Sequence, residues 1–544
     1  WSPGSKRIAF WRFDQSEIPV YPLLDDRTLY PTIVPVRYPK AGEPNSVVRI
    51  GVVTASSGSV TWMDLGSDTG ATTGGYVARL SWVGNDSLTL QQLPRRQDRI
   101  DLLMRSAATG RGRTVLTERA DSAWVDVAED APRWVNGDTM FLWPSERSGW
   151  RQYYLFRRDG SLVRRVTRDG VDVTNLVDVD AHRGLAYVIE AGPTPAQRQL
   201  WAYDISRAGS GTQMTHAPGT HDVTMAPGAG YLVDSYSTAA APPVVTLQSL
   251  SAVTSRRVLA TDTTLEARIA ALHARPPQFF EIPMPDGTRL DALRIVPPSF
   301  DSTRRYPVLM YAYGGPGSQT VLDAFGGAEY AWYQMLAQRG FVIVTVDNRG
   351  TGGRGSAFRR TVYLHLGLRE SQDQIDAARW LTTRPWVDAA HIGIWGWSYG
   401  GYLSAMTAFR GGPLFRAAIS VAPVADWRFY DDIYTERYMR TPNDNPDGYH
   451  VSSTLRYVDG LSARYLLVYG SGDDNVHPQN SIRLANRLIE AGKLFQMMVY
   501  PNRTHAIAGG NTRDQLYETL TRFIEEQLGE QRERADAPAD AVRR

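Results

Sequence analysis

Cysteine is absent from the 544 residues, so the chain has no disulfide, no thiolate nucleophile and no cysteine-ligated metal. That excludes a disulfide scaffold but leaves the compartment open, because oxidising compartments also hold cysteine-free proteins. An excess of either charge is missing too. Against 59 Lys and Arg stand 57 Asp and Glu, a formal net charge of +2, which gives no electrostatic case for nucleic acid or an anionic membrane surface. No apolar run approaches the roughly 18 residues of a membrane-spanning helix, and no signal-peptide pattern is visible. The chain opens on Trp1-Ser2-Pro3, without Met and in mid-element, which reads as a cut end. Aromatics are plentiful, with 15 Trp and 27 Tyr, and suit strand-rich structure and aromatic-lined pockets. The length exceeds one ordinary core, so two or three domains are expected.

From Trp1 to about Ala260 the chain reads as short strands separated by Gly, Asn, Asp and Ser clusters. A loose echo recurs. Arg79-Leu80-Ser81-Trp82-Val83-Gly84-Asn85-Asp86 resembles Pro132-Arg133-Trp134-Val135-Asn136-Gly137-Asp138, with weaker echoes near Asp180 and Ala226. The spacing is that of one four-stranded propeller blade, about 40–50 residues, and favours a propeller over an irregular sandwich. Thr261 to Pro277 has the character of a linker helix. Beyond it strands and helices alternate, as in a parallel sheet covered on both faces. The expected division is 1–262 for the propeller part, 263–530 for an α/β domain and 531–544 for a charged, Ala/Pro-rich, disordered tail.

The α/β part is organised around His391 to Gly401, in which an apolar strand ends in Gly396-Trp397-Ser398-Tyr399-Gly400 and a helix-like run follows from Tyr402 through Phe409. Glycines on either side of the serine let the backbone turn sharply from strand to helix, lifting the hydroxyl into a cleft. A serine needs a base, and the base needs an acid to fix its tautomer. In α/β-hydrolases acid and base follow later strands. Leu466-Leu467-Val468-Tyr469-Gly470 leads to Ser471-Gly472-Asp473-Asp474, and Met497-Met498-Val499-Tyr500 leads to Asn502-Arg503-Thr504-His505. His505 is therefore the expected base; His477 lies close to the acid in sequence, His365, His391 and His450 do not follow the right strands, and each reads as a surface or packing residue. The spacing leaves Asp473 and Asp474 as alternatives. For an oxyanion, the N–H of Tyr399 is one donor, and the hydroxyl of Tyr313 is the available second one, unless that ring is only an apolar loop anchor. Trp427, Tyr430 and Tyr434 recur at helical spacing; such a stripe is usually core, but near a nucleophile it could wall a small pocket.

With these residues assembled, the chain resembles the dipeptidyl peptidase IV branch of the prolyl oligopeptidase family from Trp1 to about Leu528. The motifs Gly-Trp-Ser-Tyr-Gly-Gly, Asp-Asp-Asn-Val-His and Tyr-Thr-Glu-Arg-Tyr-Met occur in the family's order, and Phe13 to Pro19 and Tyr38 to Gly42 are similar on the propeller side. The resemblance implies Ser398 as nucleophile, His505 as base, Asp473 rather than Asp474 as orienting acid, and Tyr313 as side-chain oxyanion donor. It implies a proline pocket of Tyr399, Val424, Trp427, Tyr430, Tyr434 and Val476, with Asn475 and Arg437 holding the substrate's carbonyl and organising its amine end. The implied activity is release of N-terminal dipeptides with proline or alanine in the second position, without metal or cofactor, from peptides with a free N-terminus. A prolyl tripeptidyl peptidase, an endo-acting oligopeptidase or acyl-peptide hydrolase, and a binding module with a vestigial hydrolase are the alternatives. The family's pair of amine-binding glutamates corresponds to a position before Trp1, and its eight blades are only about half supplied. A half-propeller would expose sheet edges, so a separate or missing fragment carrying the first blades is expected, together with a homodimer and a periplasmic or secreted location.

Overall fold

The strands between Arg7 and Ala260 hydrogen-bond into small antiparallel sheets, and the echoes fall on their first hairpins. The computed structural model describes residues 1–66, 74–250 and 256–529; the expected disordered tail lies outside the described residues. Four sheets have four strands each, starting at Tyr76–Val83, Arg133–Val135, Val173–Asp180 and Thr220–Met225. A fifth joins Arg7–Asp14, Val47–Thr54 and Val60–Trp62, and Val20–Asp25 pairs with Thr32–Arg37 as a separate hairpin. The echoed Asn136-Gly137-Asp138 makes its turn with all three residues at positive φ, between 51° and 62°, a conformation that Asn, Gly and Asp tolerate best. Successive sheets share their cores. Val135, Leu142 and Leu155 of one pack with Val173, Val188 and Tyr203 of the next, and Tyr187 and Leu200 continue to Val223 and Leu232. Face-to-face stacking of consecutive four-stranded sheets is the construction of a propeller.

The helix Thr263–Ala271, capped by the Asp262 carboxylate on the N–H of Leu265, leads to an eight-stranded sheet. Its order is Gln278–Pro283, Arg289–Ile295, Val342–Val346, Tyr306–Tyr311, Val387–Trp397, Ala417–Val421, Arg464–Gly470 and Gln496–Tyr500. Only Arg289–Ile295 runs against the rest: it pairs antiparallel with Gln278–Pro283 on one side and Val342–Val346 on the other, and the remaining ladders are parallel. The sheet is thus mostly parallel, and the antiparallel entry is a feature that the pattern of alternating strands and helices had not revealed. Because side chains alternate across a strand, Val308 and Met310 join one core and Leu309 the other, and Ile392 and Ile394 face away from Trp395. Helices Leu368–Thr382, Tyr399–Gly411 and Gln479–Glu490 cover the first face; Gly327–Gln338 and Thr512–Leu528 cover the second. Both faces being buried is what near-continuous apolar strands require. This is the α/β-hydrolase arrangement behind a propeller. Among the described residues no helix is long and apolar enough to cross a membrane.

Candidate active site

Strand Val387–Trp397 and helix Tyr399–Gly411 are separated by one residue, Ser398. The helix begins three residues before the first one expected from its apolar run. Ser398 has φ 60° and ψ −120°, a region that residues with a Cβ rarely adopt. Neighbours hold it there: its N–H donates to the Val421 carbonyl at 2.9 Å, and its own carbonyl accepts from the N–H of Tyr402 at 3.0 Å. The flanking glycines answer to crowding. A Cβ on Gly396 would lie 2.4 Å from the carbonyl oxygen of Ala312, and one on Gly400 2.2 Å from the same atom. The 13-residue helix directs the positive end of its dipole at the turn.

The loops after the last two strands are stitched together. Ser471 N–H donates to the Tyr500 carbonyl at 3.0 Å, Gly472 N–H to that of Arg503 at 3.1 Å, and Asn502 N–H to Ser471 Oγ at 2.8 Å. This brings His505 Nδ1 to 2.8 Å from Asp473 Oδ2. Asp473 is fully buried, and its Oδ1 accepts from the N–H groups of Asn475 at 3.0 Å and Val476 at 2.9 Å. Asp474 points to solvent. The alternative that spacing left open is therefore resolved by geometry: the neighbouring carboxylates differ in burial, and only Asp473 reaches the imidazole. Trp397 Nε1 donates to the His505 carbonyl at 3.2 Å, tying the histidine loop to the residue before the serine. Among the described residues no hydrogen bond joins Ser398 Oγ to His505 Nε2, a contact that commonly closes only around substrate. His477 is packing: it is buried and stacks on the Tyr21 ring at 3.7 Å, and burial lowers its pKa to about 4.

Tyr399, Val424, Trp427 and Val476 are buried in one cluster, with Tyr313, Tyr430 and Tyr434 packed against it half-exposed. The Trp427 ring lies 5.5 Å from Tyr399, 5.8 Å from Tyr430 and 6.0 Å from Tyr434. The three-residue stripe does not share one helical turn. Trp427 starts a 3₁₀ turn capped by Asp426, Tyr430 is extended, and Tyr434 belongs to the helix Asp432–Met439, whose cap is Asp431. Two capping aspartates five residues apart restart the chain, because each draws N–H groups to its own carboxylate. The result is a concave box where one helix would give a convex face. Tyr430 donates its hydroxyl to Asn475 Oδ1 at 3.0 Å, which aims that amide at the box. Arg437 Nε donates to Gln97 Oε1 at 2.8 Å, so a buried propeller residue holds its guanidinium. The Tyr313 ring lies 6.2 Å from that of Tyr399, and burial raises its pKa; it stays a protonated donor at any ordinary pH.

Two residues that sequence reasoning did not single out also belong here. Tyr38 donates its hydroxyl to the Asn475 carbonyl at 2.8 Å, within a propeller segment that runs on through a bridge between Lys40 and Asp431 and a bond from Gly42 N–H to Glu436 Oε1 at 2.7 Å. The signal was present, since Tyr38 to Gly42 matched the family, but nothing local indicated what the segment touches. Glu370 accepts the Tyr399 hydroxyl at 2.6 Å; its place on an amphipathic helix carried no sign of that contact.

Residues 1–243 match the N-terminal region of dipeptidyl peptidase IV, and residues 329–531 match the prolyl oligopeptidase family. A probable dipeptidyl-aminopeptidase B of Coccidioides posadasii is 31% identical over 96% of this chain and 60% of its own length. A probable dipeptidyl peptidase 4 of Aspergillus fumigatus is 32% identical over 97% of this chain and 71% of its own. The crystal structure of Porphyromonas gingivalis dipeptidyl peptidase 4 superposes with a TM-score of 0.92 at 37% identity, over 97% of this chain and 74% of that one. The chain spans about 60% of the length of several of these curated relatives.

Proposed function

Because this chain belongs to the prolyl oligopeptidase family, in its dipeptidyl peptidase IV branch, we propose that it is a serine exopeptidase releasing N-terminal dipeptides whose second residue is proline or alanine. The observation that carries the reading is that Tyr399 serves two surfaces at once: it follows Ser398 in the chain, and its ring walls the Trp427 box. A pyrrolidine seated in that box sets the proline's own carbonyl against the nucleophile. His505 takes the proton of Ser398 Oγ as that oxygen attacks the carbonyl carbon, and Asp473 keeps the imidazole in the accepting tautomer. The oxyanion is met by the Tyr399 N–H and the Tyr313 hydroxyl. Collapse breaks the C–N bond, His505 protonates the departing amine, and an acyl ester remains on Ser398. Water, deprotonated by His505, then hydrolyses the ester and restores the enzyme. A rigid ring fits such a box, whereas a charged side chain would lose its solvation there.

Preference for Gly-Pro over Ala-Ala-Pro and over N-blocked chromogenic substrates, by at least about tenfold in kcat/KM, is the expected result. Comparable turnover of Ala-Ala-Pro would favour the tripeptidyl reading, and of blocked substrates the endopeptidase one. The substrate's ammonium would be held by acids on a further segment that also completes the propeller. That part of the proposal is supported by the three-stranded sheet, one strand fewer than the other four among the described residues.

The proposed assembly is a homodimer. Leu29 and Tyr30 at the hairpin tip are 93% and 80% exposed, and Leu494 beside the sheet's edge strand Gln496–Tyr500 is 85% exposed. An unpaired edge with apolar neighbours is a natural seat for a second copy. Sedimentation of the complete protein should give twice the chain mass, and Tyr30→Glu with Leu494→Glu should shift it to the monomer; a wild-type monomer would dismiss the dimer.

A further inference from the structure

Glu370 has no part in the reaction scheme, although it lies one hydrogen bond from the residue after the nucleophile. It stands in the first turn of the helix Leu368–Thr382 and is fully buried. Its Oε1 accepts the Tyr399 hydroxyl at 2.6 Å, and its Oε2 is buried without a protein partner. Among the described residues no cation forms an ion pair with it. On its own helix Asp373 is engaged by Arg349, with Nε to Oδ2 at 3.0 Å, and Arg369 acts on Asp373. On the facing helix Tyr402 gives its hydroxyl to the carbonyls of Leu366 and Ser452 at 2.8 and 2.7 Å. Arg410 is spent on the Leu368 carbonyl at 2.8 Å and on Ser371. Burial accordingly raises the Glu370 carboxyl to about 7. A buried carboxyl with an unpartnered oxygen is costly, so its presence at the far end of the Tyr399 phenol calls for a compensating role.

The role follows from what Tyr399 carries. Its main-chain N–H is aimed from the first residue of the helix, and its ring forms a wall of the box. Both ends of this lever must be fixed for a carbonyl to meet the nucleophile in register. We propose that Glu370 is a positioning residue for acyl transfer: by gripping the phenol of Tyr399 it fixes the proline-facing wall and the oxyanion N–H together. This rests on the peptidase reading of the site, and its test is chosen to fail separately.

The test is a double-mutant cycle with two readouts, kcat/KM on a Gly-Pro anilide and the rate at which a fluorophosphonate labels Ser398. Glu370→Ala and Tyr399→Phe should each lower both by about tenfold, as loss of one strong buried hydrogen bond would. Together they should also lower them by about tenfold rather than about a hundredfold, because both remove the same contact. Glu370→Gln, whose amide oxygen still accepts, should stay within about threefold at neutral pH. Its labelling rate should also lack an ionisation near pH 7 that the parent shows, since a charged acceptor grips a phenol more strongly than a neutral one. Additive losses, or unchanged labelling in Tyr399→Phe, overturn the proposal. Tyr399→Phe keeps it testable should Glu370→Ala fail to fold. Should Gly-Pro substrates resist the parent enzyme while the labelling cycle behaves as stated, the peptidase reading fails and the positioning role stands.

Discussion

Ser398→Ala is expected to lower turnover of a Gly-Pro anilide by about 10⁵- to 10⁶-fold while leaving binding of the same dipeptide unit within about threefold. The hydroxyl is the only atom group removed. The box of Tyr399, Val424, Trp427 and Val476 stays packed, and the N–H of Tyr399 still faces the place where the oxyanion would form. What remains is the acceleration that positioning and the oxyanion donors supply by themselves. Alanine inherits the backbone at φ 60°, so strain at the turn is neither relieved nor increased, and the thermal midpoint should not move. Turnover, calorimetric binding of a dipeptide pyrrolidide and thermal melting together check the assignment. Peptidase activity surviving in Ser398→Ala would remove this serine, and the mechanism built on it, from consideration.

Asp473→Asn should cost about 10⁴-fold in kcat, whereas Asp474→Asn should change it by no more than about twofold. The hydrogen bonds explain why an amide is worse than it looks. Oδ1 of Asp473 accepts from two main-chain N–H groups, those of Asn475 and Val476. Asparagine can keep that loop only by turning its carbonyl oxygen toward them, which presents its NH₂ group to His505 Nδ1. Facing a donor, Nδ1 must become the acceptor, so the proton moves to Nε2, and the imidazole can no longer take one from Ser398. The loop would survive and the tautomer would be wrong. Asp474, exposed on the same loop, has no such partner to mislead. An unchanged KM and melting point beside the kcat loss would separate tautomer from folding; equal losses in both variants would reassign the acid.

These predictions draw on features of unequal legibility. The elbow could be read from eleven consecutive residues, since a serine between glycines, after an apolar strand and before a helix, is a local pattern with a local cause. The blades were legible as echoes because each hairpin needs its own Gly, Asn or Asp turn, as at Asn136 to Asp138. The box was half legible: its aromatics were identified from the resemblance, but helical spacing suggested a single face. The caps at Asp426 and Asp431 instead break the segment into a turn, an extended residue and a helix. The reversed strand Arg289–Ile295, antiparallel to both of its neighbours, was missed because strand direction is set by pairing, which no strand encodes by itself.

Sequence alone determined the order of nucleophile, acid loop and base loop, the propeller period and the family, since each is written in contiguous residues whose spacing carries a steric or turn requirement. The tertiary structure gave the physical reason why Asp473, which the resemblance favoured and spacing left open, meets the imidazole, and it alone decided that Tyr38 from the propeller braces Asn475 and that Glu370 holds Tyr399. The members of these contacts lie between 29 and 437 residues apart. Burial and hydrogen-bond direction, which choose among chemically similar side chains, exist only once sheet and propeller have packed together.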